Sequence, residues 1–315
     1  KEYLDQAMSF LAILFTLLIE QVRPLPARNP VHRWYVRYVN SLGNHFNAGE
    51  KTQGMVAWML AVLPWVLLLM AIHYFLLDIS LATAWIWSVV VLYLTLGFRQ
   101  FSHASTAIVE ALRAADLDRA RTLLTEWRGE SAAEYNGTEI ARVAIEQGLV
   151  DSHRHVFGVI FWFLILPGPS GALLYSLAGI LEQRWGTRSS PDAGDFGKFT
   201  QQIFHYLDWI PVRLTAMSFA IAGDFEDAVY CWRSQAATWL DPEQGVVLAS
   251  GAGALGVRLG ETLHQHGTVS FRPELGLGDD ADVNTMTSAV GMVWRALVIW
   301  MFVLALITVA RWVGM

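Results

Sequence analysis

Long apolar runs alternate with polar segments along the chain, and the lengths of these runs predict which of them enter a membrane. A full helical span needs about 20 apolar residues. Met55–Leu77 and Ile79–Phe98 reach that length with only Asp78 between them, which predicts a tight helical hairpin. Val290–Ala310 predicts a final span. The shorter run Met8–Ile19 predicts a re-entrant or half-inserted helix.

A further apolar segment, Val156–Leu181, is interrupted by Pro-Gly-Pro-Ser-Gly in its middle. This break predicts two short helices in a re-entrant hairpin rather than one straight span. The predicted membrane segments are therefore 8–20, 55–77, 79–98, 156–181 as a broken hairpin, 209–222 and 290–310, with polar helical segments at 99–155 and 223–287.

The segment Trp209–Ala222 is almost wholly apolar but carries Arg213 two residues after Pro211. An arginine that faces lipid costs roughly 2.5–3.5 kcal/mol on insertion scales, so Arg213 is expected to have a partner. Asp208 and Asp224 bracket the segment and are the candidate partners. Because proline cannot donate a backbone hydrogen bond, a helix is predicted to begin or break at Pro211.

Local signals also predict where other helices start and stop. Gly223 followed by Asp224 predicts a helix end and then the N-cap of a new helix. A second helix is predicted to open near Asp116 or Asp118. Glu182–Lys198 is polar and contains Gly, Pro and Ser, which predicts a loop.

The composition supports a membrane protein. Of 315 residues, 54% are hydrophobic and only 16% are charged, the mean hydropathy is +0.37, and there are 14 tryptophans, which suit the aromatic belts at membrane interfaces. A net charge of −6 argues against nonspecific nucleic-acid binding, which relies on a basic surface. The single cysteine, Cys231, excludes an intramolecular disulfide and is expected to be a small buried side chain.

Basic residues flank the predicted hairpin and are absent from its tip. Arg23, Arg28, Arg33, Arg37 and Lys51 precede it and Arg99 follows it. The positive-inside rule then places both flanks in the cytoplasm.

Several motifs resemble one known family. IPVRLTA followed by GDFEDAVYCWR, together with EIARVAIEQ and AGALGVRLG, is similar to the CobD/CbiB family of cobalamin biosynthesis. The DW-PVRL core is also similar to AmpE, a membrane protein linked to β-lactamase regulation. The resemblance covers nearly the whole chain and implies a single all-α domain over 1–315, a polytopic helical membrane protein with about four to six membrane-inserted segments.

At some polar positions this chain departs from the family pattern. Members typically show ESVAENTSDGVVAPLFW where this chain has EQGLVDSHRHVFGVIFW, so Arg154 stands where an aspartate is expected. A polar YNTLD-like motif corresponds to YSLAGILE, which keeps Glu182 but has Gly179 and Ile180. A motif with two acidic residues corresponds to a segment that carries Phe204 and His205.

The resemblance implies a site built from acidic and basic residues. Acidic groups would handle Mg²⁺ or the proton of an amine, and basic groups would hold anions. The acidic candidates are Glu146, Asp151, Asp208 and Glu182, and the anion-binding candidates are Arg99, Arg154, His153, Arg213 and Arg258. The glycines of AGALGVRLG indicate either tight turns, an approach of the backbone to an anionic ligand, or close helix packing.

The motif Asp-Ser-His-Arg-His at 151–155 leaves three interpretations open. Histidines at i and i+2 do not share a helix face, so a metal site would need a loop or strand and further ligands, and no metal site is assigned. A polar belt at the membrane interface is favoured, and an anion site made by His153, Arg154 and His155 is the third interpretation.

Two functions are compatible with this pattern. The first is an adenosylcobinamide-phosphate synthase-like ligase that joins aminopropanol phosphate to adenosylcobyric acid; it implies Mg²⁺ and ATP as cofactors and a corrinoid substrate. The second is a non-catalytic AmpE-like sensor. The expected partners are the lipid bilayer, a corrinoid or another anionic small molecule, and a second copy or other membrane proteins, without nucleic acid. The departures at Arg154, Phe204 and His205 predict weak complementation of a strain that lacks the synthase, and joint replacement of the three by aspartate is expected to raise it.

Overall fold

The computed structural model describes residues 2–23, 30–46, 50–186, 195–265 and 268–313, with the side chains of 2–7, 30, 98–100, 265 and 312 excepted. Helices dominate the chain, so the predicted all-α membrane fold is confirmed. The helices are α1 (Glu2–Val22), α2 (Pro30–Phe46), α3 (Lys51–Ile79), α4 (Leu81–Thr95), α5 (Phe98–Arg113), α6 (Leu117–Arg128), α7 (Gly137–Ser152), α8 (Gly158–Ile165), α9 (Ser170–Trp185), α10 (Phe196–Ala222), α11 (Phe225–Gln235), α12 (Pro242–Leu255) and α13 (Val283–Val313). A π-helix, His153–Phe157, joins α7 to α8, and a 3₁₀ turn, Ala236–Thr238, follows α11.

The described residues group into two compact units. The first comprises Lys1–Gly97, Arg154–Ile210 and Ala305–Met315, and the second comprises Phe98–His153 and Pro211–Leu304. The first unit contains the packed pairs α1 with α4, α3 with α4, α3 with α9, and α8 with α9. The second contains α11 packed on α12 and α5 packed on α6 and α7.

Among the described residues, two helices, Lys51–Ile79 and Val283–Arg311, are long and apolar enough to cross a membrane by their length and composition. Met8–Val22 and Leu81–Thr95 are shorter apolar helices. The predicted segments 55–77 and 290–310 thus fall in full-length candidates, and 8–20 falls in the shorter helix Met8–Val22. The predicted span 79–98 is longer than the helix found there, Leu81–Thr95, because Ile79 belongs to α3 and Phe98 to α5. Large apolar side chains such as Phe75 and Phe302 lie on the outside of these helices, as lipid-facing residues would.

The predicted hairpin between the first two long runs is present, but its turn is at Ser80 rather than at Asp78. Asp78 lies inside the last turn of α3. Ser80 has extended backbone, and its hydroxyl accepts a hydrogen bond from the N–H of Ala82, which caps α4. The prediction placed the turn at the charged residue, whereas the capping serine determines it.

The predicted break at Pro211 is wrong, because α10 runs through it from Phe196 to Ala222. Proline removes the hydrogen bond to the carbonyl four residues earlier, which here belongs to Leu207. The indole N–H of Trp162 donates to that Leu207 carbonyl at 3.0 Å and so replaces the missing bond. The bond lost at Pro64 within α3 is also replaced, because the Tyr38 hydroxyl donates to the carbonyl of Leu60 at 3.0 Å.

Other local predictions hold. Asp116 caps α6 by accepting from the N–H of Arg119, and Asp224 caps α11 by accepting from the N–H of Asp227. The Pro-Gly-Pro-Ser-Gly segment separates α8 from α9 as predicted. Both ends of the loop predicted over Glu182–Lys198 are helical, because α9 continues to Trp185 and α10 begins at Phe196, and residues 187–194 lie outside the described part of the chain.

Short strands in the second unit were not predicted. They are β1 (Val257–Gly260), β2 (Leu263–Gln265), β3 (Thr268–Ser270), β4 (Glu274–Leu275) and β5 (Asp279–Asp280). Strand β1 lies between β4, to which it is antiparallel, and β5, to which it is parallel, while β2 and β3 form a separate antiparallel pair. Gly256 ends α12 with a φ of 64°, and Gly260 ends β1 with a φ of 77°, so these two glycines serve tight turns.

Candidate functional site

The structure divides the predicted site residues between the two units. Arg154, Glu182 and Asp208 belong to the first unit, and Glu146, Asp151, His153, Arg213 and Arg258 belong to the second. Arg99 lies in α5, but its side chain is outside the part of the chain that is described. Each unit contains its own group of interacting acidic and basic side chains, several of them buried.

In the first unit, five side chains form what we call the Arg154 cluster: Arg154, Tyr175, Glu182, Phe204 and Asp208. The Arg154 guanidinium lies 3.2 Å from Glu182 Oε2, and both side chains are about nine-tenths buried. The same guanidinium lies over the ring of Phe204, 5.4 Å from its centroid. Tyr175 donates its hydroxyl hydrogen to Asp208 Oδ1 at 2.7 Å. Its ring lies 5.6 Å from that of Phe204, so Phe204 links the two polar pairs.

Small residues make room for the rings of this cluster. A side chain at Gly158 would come within 2.3 Å of the Tyr175 ring, so α8 and α9 approach closely only because residue 158 is glycine. A Cβ atom at Gly179 would lie 3.5 Å from the Phe204 ring, an ordinary van der Waals contact. Helices α8, α9 and α10 therefore fix Tyr175, Glu182, Phe204 and Asp208 around the side chain of Arg154.

The cluster collects positions at which the chain departs from the family pattern. Arg154 and Phe204, which stand where acidic residues are expected, contact each other, and Gly179 lies next to Phe204. His205, the neighbour of Phe204, is exposed. Two of the departures are therefore adjacent in space: the Arg154 guanidinium is paired with the retained acid Glu182 and covered by the ring of Phe204. Sequence analysis did not assign Tyr175 a role, although it stands first in the motif YSLAGILE.

In the second unit, helix α7 presents three charged side chains that alternate in sign; two of them pair with opposite charges and one with a histidine, all from the segment after α12. We call this set the charge ladder; it consists of the pairs Glu139–His264, Arg142–Glu261 and Glu146–Arg272. Residues three and four apart share a helix face, so the spacing of 139, 142 and 146 aligns all three along α7.

Glu146 is the most completely bound member of the ladder. Its Oε2 lies 2.6 Å from Arg272 Nη1, and its Oε1 accepts from Arg272 Nη2 at 3.1 Å and from the N–H of Gly260 at 2.8 Å. The Arg272 guanidinium also lies over the ring of Trp239, 5.5 Å from its centroid. A two-pronged ion pair of this kind fixes geometry strongly. Arg272, which is separated from Glu146 by 126 positions, was not among the predicted site residues.

At the other end of the ladder, Glu139 closes a capping box with Asn136 and accepts hydrogen bonds from the N–H and Nδ1 of His264. Burial alone would raise the pKa of Glu139, but the hydrogen bonds from Asn136 and His264 outweigh it and lower that pKa below its ordinary value. Arg142 pairs closely with Glu261, a non-glycine residue with a φ of 55°. The ladder thus holds a strained turn after β1 in place.

Asp151 and His153 also have structural partners within the second unit. Asp151 accepts from the indole N–H of Trp127 at 2.9 Å and from the Gln147 amide at 2.8 Å. Nδ1 of His153 lies 2.9 Å from the Thr215 hydroxyl. His153 is buried, whereas His155 is exposed. Within the described ranges no group of three or more His, Cys, Asp or Glu side chains is arranged to hold a metal ion.

The two remaining arginines differ in what surrounds them. Arg258 in β1 lies 2.9 Å from Asp280 in the neighbouring strand β5, partly exposed. The pairing of Arg258 with Asp280 favours strand pairing, rather than ligand binding, as the role of the AGALGVRLG segment. Arg213 lies half-buried in α10, and its predicted pairing with Asp208 or Asp224 stays a prediction.

Comparison with known proteins gives a consistent result. The sequence model of the family described as "CobD/Cbib protein" matches residues 9–293. The chain is 34% identical to the cobalamin biosynthesis protein CobD of Stutzerimonas stutzeri over 299 residues, which cover 94% of this chain and 96% of that protein. It is 35% identical to the cobalamin biosynthesis protein CobD of Chromobacterium violaceum, over 78% of this chain and 73% of that protein. No solved structure matches the chain.

Proposed function

The chain belongs to the CobD/CbiB family, and on that premise we propose that it acts in cobalamin biosynthesis as a multi-pass protein of the bacterial inner membrane. The observation that carries this proposal is the similarity to a protein named for cobalamin biosynthesis over almost the full length of both chains. The apolar helices α3 and α13 agree with a membrane location.

The step that we propose is amide formation between a carboxylate of adenosylcobyric acid and the amine of aminopropanol phosphate, as in adenosylcobinamide-phosphate synthases. A C–N bond forms and a C–O bond of the carboxylate breaks, so that in net terms the carboxylate and the ammonium group give the amide and water. Both reactants carry groups that suit the Arg154 cluster. An anionic group would be held by Arg154, since a guanidinium binds carboxylate and phosphate oxygens through paired hydrogen bonds. Arg154, Glu182 and Asp208 lie at the ends of the predicted membrane segments 156–181 and 209–222 and are largely buried. Because burying charged groups is costly, their presence favours this cluster as the site.

Asp208 and Tyr175 would handle the proton of the amine. An ammonium group must lose a proton before its nitrogen can attack a carbonyl carbon, and a carboxylate within hydrogen-bond reach can accept it. The 2.7 Å hydrogen bond from Tyr175 fixes the orientation of the Asp208 carboxylate. Glu182 would be a positioning residue, because its contact with Arg154 holds the guanidinium in place. We assign Glu146 and Asp151, which are tied to Arg272 and Trp127, to the scaffold.

The family resemblance also implies Mg²⁺ and ATP, but the described residues do not fit a protein-built site for either. Mg²⁺ prefers several oxygen ligands in octahedral geometry. Glu182 and Asp208 are each engaged by a donor, Arg154 and Tyr175, and no third acidic group joins them in a metal-binding arrangement among the described residues. The sequence also lacks a glycine-rich P-loop with its lysine. We therefore assign no step to these groups.

The test is genetic and chemical. Deletion of the gene in its own host should stop corrinoid synthesis with accumulation of adenosylcobyric acid, and the wild-type gene should restore it. An Asp208→Asn variant should restore less than a tenth of the wild-type amount, whereas Glu226→Gln, which changes an exposed acid in α11, should restore all of it. Normal corrinoid content after deletion of the gene would refute the proposal.

A second candidate function is that of an AmpE-like sensor, and one observation favours it. Arg154 and Phe204 occupy positions where the family pattern has acids, and their contact converts that part of the site into a cation covered by an aromatic ring. Such a site suits binding of an anion without chemistry. The deletion strain separates the two candidates, because a sensor would alter β-lactamase induction and leave corrinoid content unchanged.

A further inference from the structure

Helix α2 has a basic face without acidic residues. Its sequence, PVHRWYVRYVNSLGNHF, contains no Asp or Glu. Arg33 and Arg37 are both exposed and are four residues apart, so they lie next to each other on one face of the helix. Neither arginine makes an ion pair or a side-chain hydrogen bond with any part of the chain that the structure describes.

Aromatic side chains form a second row beside this basic row. Trp34 and Tyr38, also four residues apart, stack with their ring centroids 6.0 Å apart and an interplanar angle of 5°. Trp65 of α3 meets both rings edge-on, at 5.2 Å from Trp34 and 6.1 Å from Tyr38. Trp34 nevertheless remains 50% exposed, so one face of this aromatic group is open.

The two rows are tied to a helix that is long enough to cross a membrane. The hydroxyl of Tyr35 donates to the carbonyl of Ala61 at 3.1 Å, and that of Tyr38 donates to the carbonyl of Leu60 at 3.0 Å. The Leu60 carbonyl is the one left without its helical donor by Pro64, which makes it a strong acceptor. Helix α2 is therefore anchored along α3, and its two arginines belong to a helix held against an apolar helix that is long enough to cross a membrane.

We propose that this face of α2, formed by Arg33, Trp34 and Arg37, binds the headgroup of an anionic phospholipid. The phosphate diester would sit between the two guanidinium groups, which suit its oxygens geometrically and in charge. The indole of Trp34 would lie at the level of the headgroup and glycerol, where tryptophan is enriched in membrane proteins. Charge complementarity selects the partner, because cations beside an apolar helix need anions and the bilayer surface supplies them.

This lipid site is independent of the proposed reaction. Its residues belong to α2 and α3, and none of them is in the Arg154 cluster. The site would make the stability of the protein depend on the charge of the surrounding lipid. A basic face that served another protein would not show this dependence on lipid charge.

The experiment uses the full-length protein in detergent, titrated with phosphatidylglycerol or with phosphatidylcholine, and follows the thermal midpoint and the number of lipids retained in native mass spectrometry. Phosphatidylglycerol should raise the midpoint of the wild type and remain bound, and phosphatidylcholine should do neither. Arg33→Gln/Arg37→Gln should weaken phosphatidylglycerol binding at least tenfold. The matched control Arg119→Gln/Arg233→Gln, which neutralises two exposed arginines outside α2, should bind like the wild type.

The variant Arg33→Lys/Arg37→Lys keeps both charges, and it provides a second test in case the glutamine variant does not fold. It should fold normally and bind phosphatidylglycerol more weakly than the wild type, because lysine lacks the paired donors of arginine. Undiminished phosphatidylglycerol binding by the glutamine variant would overturn the proposal. An equal stabilisation by inorganic phosphate alone would also overturn it, because it would identify a site for free anions rather than for a lipid.

Discussion

The Arg154 cluster and the charge ladder bury the same kinds of side chain to a similar degree but in different surroundings. Arg154 and Glu182 are 11% and 10% exposed, and Arg272 and Glu146 are 17% and 9% exposed. In the ladder, the charged side chains of α7 alternate in sign along the helix. They bind side chains and backbone groups of the segment that contains the strained turn at Glu261. In the cluster a single ion pair and a tyrosine–aspartate pair meet around an aromatic ring.

This difference separates scaffold from candidate site better than burial does. The ladder joins α7 to a segment more than a hundred positions away through two ion pairs and a carboxylate–histidine hydrogen bond. Such a network stabilises one structure, and its side chains are bound to each other rather than available to a ligand. The cluster instead lies in the first unit, next to the predicted membrane segments 156–181 and 209–222, where burying charged groups is costly and is usually explained by function.

Removing Glu146 should have the largest effect on stability. Glu146→Ala leaves Arg272 buried without its carboxylate, and breaking a buried pair from one side costs about 3–5 kcal/mol. We expect a large drop in the thermal midpoint in detergent, with the exposed Glu226→Ala as control. If the midpoint stayed unchanged while corrinoid synthesis was lost, Glu146 would belong to the site and the comparison between the two clusters would fail.

Removing the Tyr175 hydroxyl should affect stability less and function more. Tyr175→Phe keeps the ring against Phe204 but deletes the hydrogen bond to Asp208, and a hydrogen bond to a charged group contributes about 1.5–3 kcal/mol. We expect a moderate loss of stability and at least a tenfold loss of corrinoid product per folded molecule. Wild-type product formation by this variant would show that the Tyr175–Asp208 pair is merely structural.

The smallest expected effect is a pH dependence at one end of the ladder. Hydrogen bonds lower the pKa of Glu139 in the folded protein, so the stability that this group contributes is present above the pKa of the unfolded chain. It is lost as the pH falls through the lowered, folded-state pKa. The difference in thermal midpoint between the wild type and Glu139→Gln should therefore shrink as the pH falls below about 4. A difference that grew on acidification would contradict the assignment.

The sequence predicted those features of the fold that depend on neighbouring residues. The caps at Asp116 and Asp224 and the interruption between α8 and α9 follow from local chemistry and were found. The continuation of α10 through Pro211 was missed, because the donor that replaces the lost hydrogen bond, Trp162, comes from a different helix. The strands β4 and β5 have two residues each, too few to give an alternating pattern.

The candidate site was predicted as a set of residue types but not as an arrangement. Glu182, Asp208 and Arg154 were assigned from the family resemblance, and the structure brings them into one unit. The same reasoning also selected Glu146, because a sequence does not show that Arg272, 126 positions away, occupies its carboxylate. Long-range pairing of this kind decides whether an acidic residue is available to a ligand.

The most direct test of this account is product formation per folded molecule for Asp208→Asn and Glu146→Gln, measured side by side at a temperature at which both are folded. If the Arg154 cluster is the site and the charge ladder is scaffold, Asp208→Asn should lose more than nine-tenths of the corrinoid amide product. Glu146→Gln should then form as much product per folded molecule as the wild type. The reverse pattern, with activity retained by Asp208→Asn and lost by Glu146→Gln, would contradict the account.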